Sequence, residues 1–508
     1  MKKATDGRFP LIRLGFLTAV ALAIHGYHFG VEDAEIFIPA ASKLLHPDLF
    51  PYATEFFLSH ERFSIFARII AWTARLTHLS MDWTVFCWYV ITLFATLAAS
   101  WMLAGVCFNS SRARWTAVLA MTVAITMPAA NTGLLLMDPY LTPRSFSTPL
   151  SLFALAAFLS HRRIRAVLAT VLMAAIHPQM TVYFLLLVAI LWILHGAASL
   201  ARRPQRLASL AAFLPVDLRL GPARDPYREA LYARDFYFLF TWTWYDWLGL
   251  LAPLAILAWF WKARPRGTRP AFARLSLALI PFGLIAILAA AVISSSHIFD
   301  MWARFQPLRC FHLITLVFLL FFGGVVGEFT SRISRLIVPV LCISVAILMF
   351  EVERDIYANS PHIEWPWMKS SPNAWVNTLL WVRHNTPHDA VFAVDSRYFK
   401  DAGVDDHGFR AISQRSELAD YFKDGGAVAV FPELAVEWKR MNDATYGLNH
   451  FTAADFTRLA HTYPVTWAVI HGPAPAGMDC PYQRQGYAVC RIPGAPGLTL
   501  DSAPDDKH

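Results

Sequence analysis

Hydrophobic positions in this chain come in long unbroken blocks, without the short alternation of a soluble domain. No Asp, Glu, Lys or Arg occurs from Trp83 to Ser111, from Trp115 to Met137 or from Leu275 to Phe299. A helix needs about 20 mostly apolar residues to cross a bilayer, and each run is long enough. The blocks predict spans near 11–28, 83–107, 115–131, 145–160, 164–177, 179–198, 246–261, 273–294, 310–327 and 335–350. The uncharged stretch from Ala166 to Ala201 is too long for one crossing. His177-Pro178 divides it, because proline removes a helix donor and clashes with the preceding turn. The first block follows a basic start but lacks a clear small-x-small cleavage site, so it reads as a retained anchor.

Two segments depart from the block pattern. In residues 28–82, Phe63, Phe66, Ala67 and Ile70 recur at helical spacing among charges, which predicts helices lying at the membrane surface. The segment from 219 to 245 leads into a dense aromatic run, FYFLFTWTWYDW. Tyr and Trp favour the headgroup level, so this reads first as an interfacial anchor and second as a platform for carbohydrate or lipid.

After Glu351 the rhythm changes again. A Pro-rich linker (351–371) leads into an amphipathic helix near Ala374–His384. Strand-length apolar runs follow at Ala390–Val394, Ala427–Phe431, Thr466–Ile470 and Tyr487–Ile492, with helical segments at Pro432–Met441 and Ala453–Thr462. This alternation predicts a small α/β domain over 372–508. Gly425-Gly426 reads as a turn, and the domain has neither a G-x-G-x-x-G nor a P-loop motif. The fold class expected is a polytopic α-helical membrane protein with this domain at its C-terminal end.

Composition agrees with the pattern: 56% of residues are hydrophobic and 16% charged, against about 25% charged in soluble domains. The net charge of +8 suggests nucleic acid only until the positions are examined. Bases crowd into alternate gaps (Lys2, Lys3, Arg8, Arg13; Arg112, Arg114; Arg162, Arg163, Arg165; Arg202, Arg203, Arg206; Lys262 to Arg274; Arg332, Arg335), while acids outnumber bases in the gaps between. That is the positive-inside bias, so the charge sets topology and no nucleic-acid partner is expected. The alternation requires an eleventh crossing between Arg206 and Lys262, for which Leu207–Leu218 is the candidate. The N-terminus is then cytoplasmic and the C-terminal domain outside. Of six cysteines, Cys87, Cys107, Cys310 and Cys342 lie in apolar runs. Cys480 and Cys490 lie in the outer tail, where a disulfide and two free thiols are both open.

Four polar clusters fall on the outer side. GVEDAEIF places Glu32, Asp33 and Glu35 directly after the first span. Packed carboxylates can serve as a general base, hold a divalent metal, or simply complement a helix N-terminus. A continued helix would put Glu32 and Glu35 on one face. DPYLTPRSF offers Tyr140 and Arg144 on a proline-stiffened loop, His177-Pro178-Gln179 offers His177 and Gln179, and RFQPLR offers Arg304, Gln306 and Arg309. Outer arginines run against the charge bias, and a guanidinium fork suits a phosphate. Snorkelling to ordinary headgroups is the plainer account.

The layout and the stretches DPYLTPRSF, HPQM, RFQPLR and WVRHNTPHDAVFAV (Trp381 to Val394) resemble a bacterial branch of the GT-C superfamily of membrane glycosyltransferases. The resemblance covers nearly the whole chain, through layout and short motifs. It implies a polyprenyl-phosphate-linked sugar donor, inversion at the anomeric carbon, and work at the periplasmic face of the inner membrane among its lipids. It also implies that Asp33 or a neighbouring acid deprotonates the acceptor while Arg144 or Arg309 holds the donor phosphate. No WWDYG-type motif is present, which speaks against an oligosaccharyltransferase. A transporter or flippase would place ionisable residues deep in its spans. A non-catalytic assembly protein with the same fold is the other alternative.

Overall fold

A computed structural model describes residues 10–200, 220–328 and 332–495. The eleventh crossing expected at Leu207–Leu218 lies outside these residues. The chain is mostly helical, with a small sheet near its C-terminal end. Among the described residues three segments are long and apolar enough to cross a membrane: Met81–Cys107, Pro270–Ser295 and His297–Glu328. The last is 3-10 turns leading into the α-helix Cys310–Glu328. Leu11–His25 and Pro178–Leu194 are shorter apolar helices.

The exposed faces also fit a membrane. Ile164, Val167, Leu168, Val171 and Leu172 form an exposed stripe on Arg163–Ile176, and Leu284, Ile285, Leu288 and Val292 form one on Pro270–Ser295. A soluble helix turns such a stripe inward, and exposed apolar surface of this extent marks contact with another apolar phase.

Local signals start the helices. Ser80 and Ser110 accept N–H bonds at the heads of Met81–Cys107 and Ser111–Val123. Thr142 with Ser145, and Thr243 with Asp246, form capping boxes that open Pro143–Leu159 and Trp244–Ala263. Pro178 opens Pro178–Leu200 at the expected break. Small residues set the packing of Cys310–Glu328 on Ser111–Val123: a Cβ at Gly323 would stand 2.5 Å from the Ala120 Cβ, and one at Gly327 would strike Thr116.

Two expectations need correction here. The span predicted at 115–131 is a 13-residue helix ending at Val123. Beyond it Pro128 bridges to Leu135, and Ala129 N–H donates to Leu134 O at 2.9 Å, so the chain makes a tight hairpin that leads to Asp138 and to Pro139, whose carbonyl accepts from His28 N–H. The segment 28–82 does hold helices, Ala34–Leu45, Glu55–Leu58 and Phe66–Thr77, but Phe63 lies outside them and is exposed.

The helix Arg332–Ile356 runs past the boundary drawn at 350. The C-terminal sheet has the order β2-β1-β3-β5-β4. β1 (Val391–Ala393) is parallel to β2 (Ser416–Glu417) and β3 (Trp467–His471), while β5 (Tyr487–Arg491) is antiparallel to β3 and β4 (Asp479–Arg484). Cys480 and Cys490 are joined by a disulfide across β4 and β5, with Cα atoms 3.9 Å apart. The strand expected at Ala427–Phe431 is instead part of the helix Lys423–Val430, which also contains Gly425 and Gly426. The glycines serve close packing: Cβ atoms there would come 3.2 Å from the Trp438 ring and 2.8 Å from Arg234.

Candidate functional site

The site is built on residues 26–33, where the chain leaves Leu11–His25. This segment is held by backbone hydrogen bonds from three sides. Tyr27 N–H donates to His362 O (3.1 Å) and Glu364 N–H to Tyr27 O (2.9 Å), on the linker. His28 N–H donates to Pro139 O (2.8 Å), on the Asp138 loop. Gly408 N–H donates to Gly30 O (2.8 Å) and Glu32 N–H to Asp406 O (2.9 Å), on the C-terminal domain. Gly30 has φ +74° and a Cβ there would meet Ile412 at 2.9 Å, so conformation and space both require glycine.

Glu32 then adopts a left-handed φ of 52°, rare for a residue with a side chain. The helix begins only at Ala34, so the shared face expected for Glu32 and Glu35 does not exist. The three acids part ways. Glu32 ion-pairs with Lys423. Glu35 is fully buried and accepts the N–H groups of Arg410 (2.8 Å) and Ala411 (2.9 Å), capping the helix Phe409–Ser413. It is therefore a structural acid, and burial pushes its carboxyl up to about 7. Asp33 precedes the first turn of its own helix without a cap hydrogen bond. Its side chain is 40% exposed, with Lys423 Nζ 3.6 Å from Oδ1.

Around Asp33 the structure gathers groups from distant segments. Its charge acts on Asp138, Tyr140 and Arg144, on His60 and on Arg234. Arg144 Nη2 lies 2.6 Å from Asp138 Oδ2, and both side chains are buried. Burial raises the Asp138 carboxyl, with Arg144 opposing the shift. Burial also pulls the His60 imidazole down to about 4. His177, at the end of Arg163–Ile176, feels the charges of Arg144, Arg309, His312 and His60. Asp33, Arg144, His177 and Arg309 thus belong to one connected electrostatic set.

Arg309 Nη1 donates to Gln179 Oε1 (3.3 Å), and its Nε is buried without a hydrogen-bond partner. The Gln179 amide in turn donates to Tyr183 OH (3.0 Å). Gln306 is buried at φ 47°, donates to Tyr237 OH (2.6 Å) and accepts from Tyr183 at its carbonyl (3.1 Å), so it shapes the turn before Arg309. Arg304 stands 5.6 Å over the Phe305 ring, and its charge acts on Tyr227.

His60, Arg234, His312 and Lys423 belong to the same region, although the sequence pattern does not single them out. Only His312 carries a signal, as an imidazole inside an apolar run; its Nε2 lies 3.0 Å from Leu136 O. Among the described residues no three His, Cys, Asp or Glu side chains are grouped to hold a metal ion, and Glu32 and Glu35 are committed to Lys423 and to a helix end. What the arrangement offers is an accessible carboxylate on Asp33 and two guanidinium groups, Arg144 and Arg309, each with a buried Nε that has no hydrogen-bond partner.

The wall facing the acids comes from the C-terminal domain. Arg410 is buried among Asp424, Glu417, Glu35 and Asp420, all at most 1% exposed. It donates to Asp424 through both terminal nitrogens, while both Glu417 oxygens lack a hydrogen-bond partner. Burial raises the carboxyls of Glu417 and Asp420 well above the usual range. Comparison with curated proteins found no match. Residues 373–444, which include Arg410, Glu417, Asp420, Lys423 and Asp424, match a family described as a domain of unknown function, DUF6798.

Proposed function

We propose that this chain is an inverting glycosyltransferase of the GT-C kind, moving a sugar from a polyprenyl-phosphate donor to an acceptor at the periplasmic face of a bacterial inner membrane. In this reading about eleven spans carry the site, and the C-terminal domain is periplasmic. The observation that supports it is the accessible Asp33 carboxylate on the segment that His28 N–H ties to the loop of Asp138 and Arg144. Asp33 takes the acceptor hydroxyl proton as that oxygen attacks the anomeric carbon, and the sugar–phosphate bond breaks on the opposite side. The leaving phosphate gains charge as it departs, and a preorganised guanidinium stabilises it. Arg144 is already paired with Asp138, so Arg309 is the stronger phosphate ligand.

Arg309→Ala should therefore raise KM for the donor about 10- to 100-fold, the size of a lost charged hydrogen bond. Arg309→Lys should recover only part of this, because lysine keeps the charge but loses the fork. Equal kinetics in the two variants would remove Arg309 from the donor site. The topology has its own test. A reporter active only in the periplasm should be active when fused after Phe350 and silent at Arg203, and the reverse pattern would overturn the arrangement of all four clusters.

A further inference from the structure

Three histidines and two glutamates form a chain where the first segment, the linker and the C-terminal domain meet. His28 Nε2 lies 2.8 Å from Glu353 Oε1, at the end of Arg332–Ile356, and His28 Nδ1 lies 3.5 Å from Glu364 Oε1. His362 Nδ1 bonds to the other Glu353 oxygen, and His407 Nε2 lies 2.7 Å from Glu364 Oε1. His28 and His407 are fully buried and the two glutamates nearly so, while His362, at 21%, is the end open to solvent. The backbone is drawn in around the chain. Phe29 N–H donates to the Glu364 carboxylate (2.8 Å), and a Cβ at Gly26 would strike His362 O.

The hydrogen-bond pattern fixes the charge on two of the rings. A neutral imidazole has one N–H and one lone pair. His362 faces the Glu353 carboxylate with Nδ1 and Ala23 O with Nε2, the latter at 3.0 Å. His407 faces Glu364 with Nε2 and Val404 O with Nδ1, the latter at 3.0 Å. All four partners are acceptors, so only an imidazolium satisfies both nitrogens. We infer that this chain is a pH-sensitive clasp: it holds the linker and the C-terminal domain on residues 23–29 while His362 and His407 are doubly protonated, and loosens when they lose those protons. The neighbouring groups give the direction. Burial works against the His407 charge, but Glu364, helped by Asp405, outweighs it and holds the imidazole above its usual range. Its contribution is therefore complete below 6.5 and lost as pH rises through the folded value. Arg354 Nη1, 3.3 Å from Glu353, leaves that acid a cation at any pH. Glu364 depends on His407 and His28 themselves, so the lost proton is felt most at His407. His25 acts on neither carboxylate by contact but lies within electrostatic reach of His362 and Glu353. The Tyr357 ring, within reach of Asp406 and Asp138, stacks on His28 at 3.7 Å. The clasp does not rest on the transferase reading.

The test is amide hydrogen exchange on the full chain in lipid nanodiscs at pH 6 and pH 9, with each rate divided by the intrinsic rate at that pH. The reporters are the N–H groups of Tyr27, Phe29 and Glu364, which bond to His362 O, to the Glu364 carboxylate and to Tyr27 O. Their protection should fall about ten-fold or more between the two pH values, as expected for the loss of one charged hydrogen bond. The helix Ala453–Thr462, remote from the clasp in sequence, should keep its protection. His362→Gln and His407→Gln keep a donor but cannot carry the charge. With both replaced, the reporters should already exchange fast at pH 6 and respond no further to pH. Level protection from pH 6 to pH 9 in the wild type would overturn the inference without recourse to any variant. An equal fall in Ala453–Thr462, or a pH response that survives the double replacement, would overturn it too.

Discussion

Asp33→Asn should lower sugar transfer by about 10²–10⁴-fold, the usual contribution of a positioned general base, and leave the protein folded in the membrane. The side chain is 40% exposed, caps no helix, and meets Lys423 only at 3.6 Å. The amide keeps its shape and loses only the proton-accepting charge. Glu32→Gln should act more mildly, by releasing Lys423 from its partner. The measurement is transfer of labelled sugar from a polyprenyl-phosphate donor in membranes carrying each variant. Full activity in Asp33→Asn would move the base to Glu32, and full activity in both would remove this loop from the chemistry.

Arg410→Ala should produce the largest loss of stability, about 3–5 kcal/mol, because removing one partner leaves buried charge uncompensated. Here the carboxyls of Glu35, Glu417, Asp420 and Asp424 would face one another with no cation between them. The loss should shrink in acid, since protonation neutralises the same groups. Glu35, Glu417 and Asp420 already bind protons more tightly folded than unfolded, so the wild type itself weakens as pH rises; for Glu35 this happens between about 4.5 and 7. His407, raised by Glu364, acts in the same direction: its contribution is full below 6.5 and is lost through its higher folded value. Glu364, held down to about 2 by His407 and His28, works oppositely, and its contribution falls away below 4.5. Stability should therefore peak near pH 4.5, where the Glu364 contribution is complete and the losses from Glu35, Glu417 and Asp420 are only beginning. Denaturant midpoints across pH check both claims. A wild-type optimum above pH 8, or an Arg410→Ala deficit that grows in acid, would contradict them.

Some of this is legible in the sequence, for identifiable reasons. The break at His177-Pro178 rests on proline chemistry, and the helix Ala453–Thr462 opens at Thr452 and Asp455, which form a local capping box. Both signals act within a few residues. Ala427–Phe431 reads wrongly as a strand because a short apolar run has no usable period; in the fold Val428 and Ala429 pack in one cluster with Trp438, Ala230 and Leu231, partners invisible locally. The strand Asp479–Arg484 contains Pro481 and alternates poorly, so only its pairing with β5 reveals it. At the site, charge patterning alone groups the clusters on one side. Which acid stays accessible cannot be foreseen, because it depends on the left-handed turn at Glu32 and on Arg410 and Lys423, nearly 400 residues later.

That distance has a consequence for how the protein is made. Glu35 is separated by 375 residues from the Arg410 N–H it caps. At roughly 5–20 residues per second, it leaves the ribosome about 20–75 s before its partner. During that interval residues 27 and 28 can already pair with Pro139 and later with His362 and Glu364, but Glu32 and Glu35 have no partner, and the Arg410 wall does not yet exist. The last quarter of translation therefore completes a site that begins at residue 32. A chain truncated between Arg309 and Arg410 would keep Asp33, Arg144, Arg304 and Arg309, and would still lack the wall that Arg410 builds beside them.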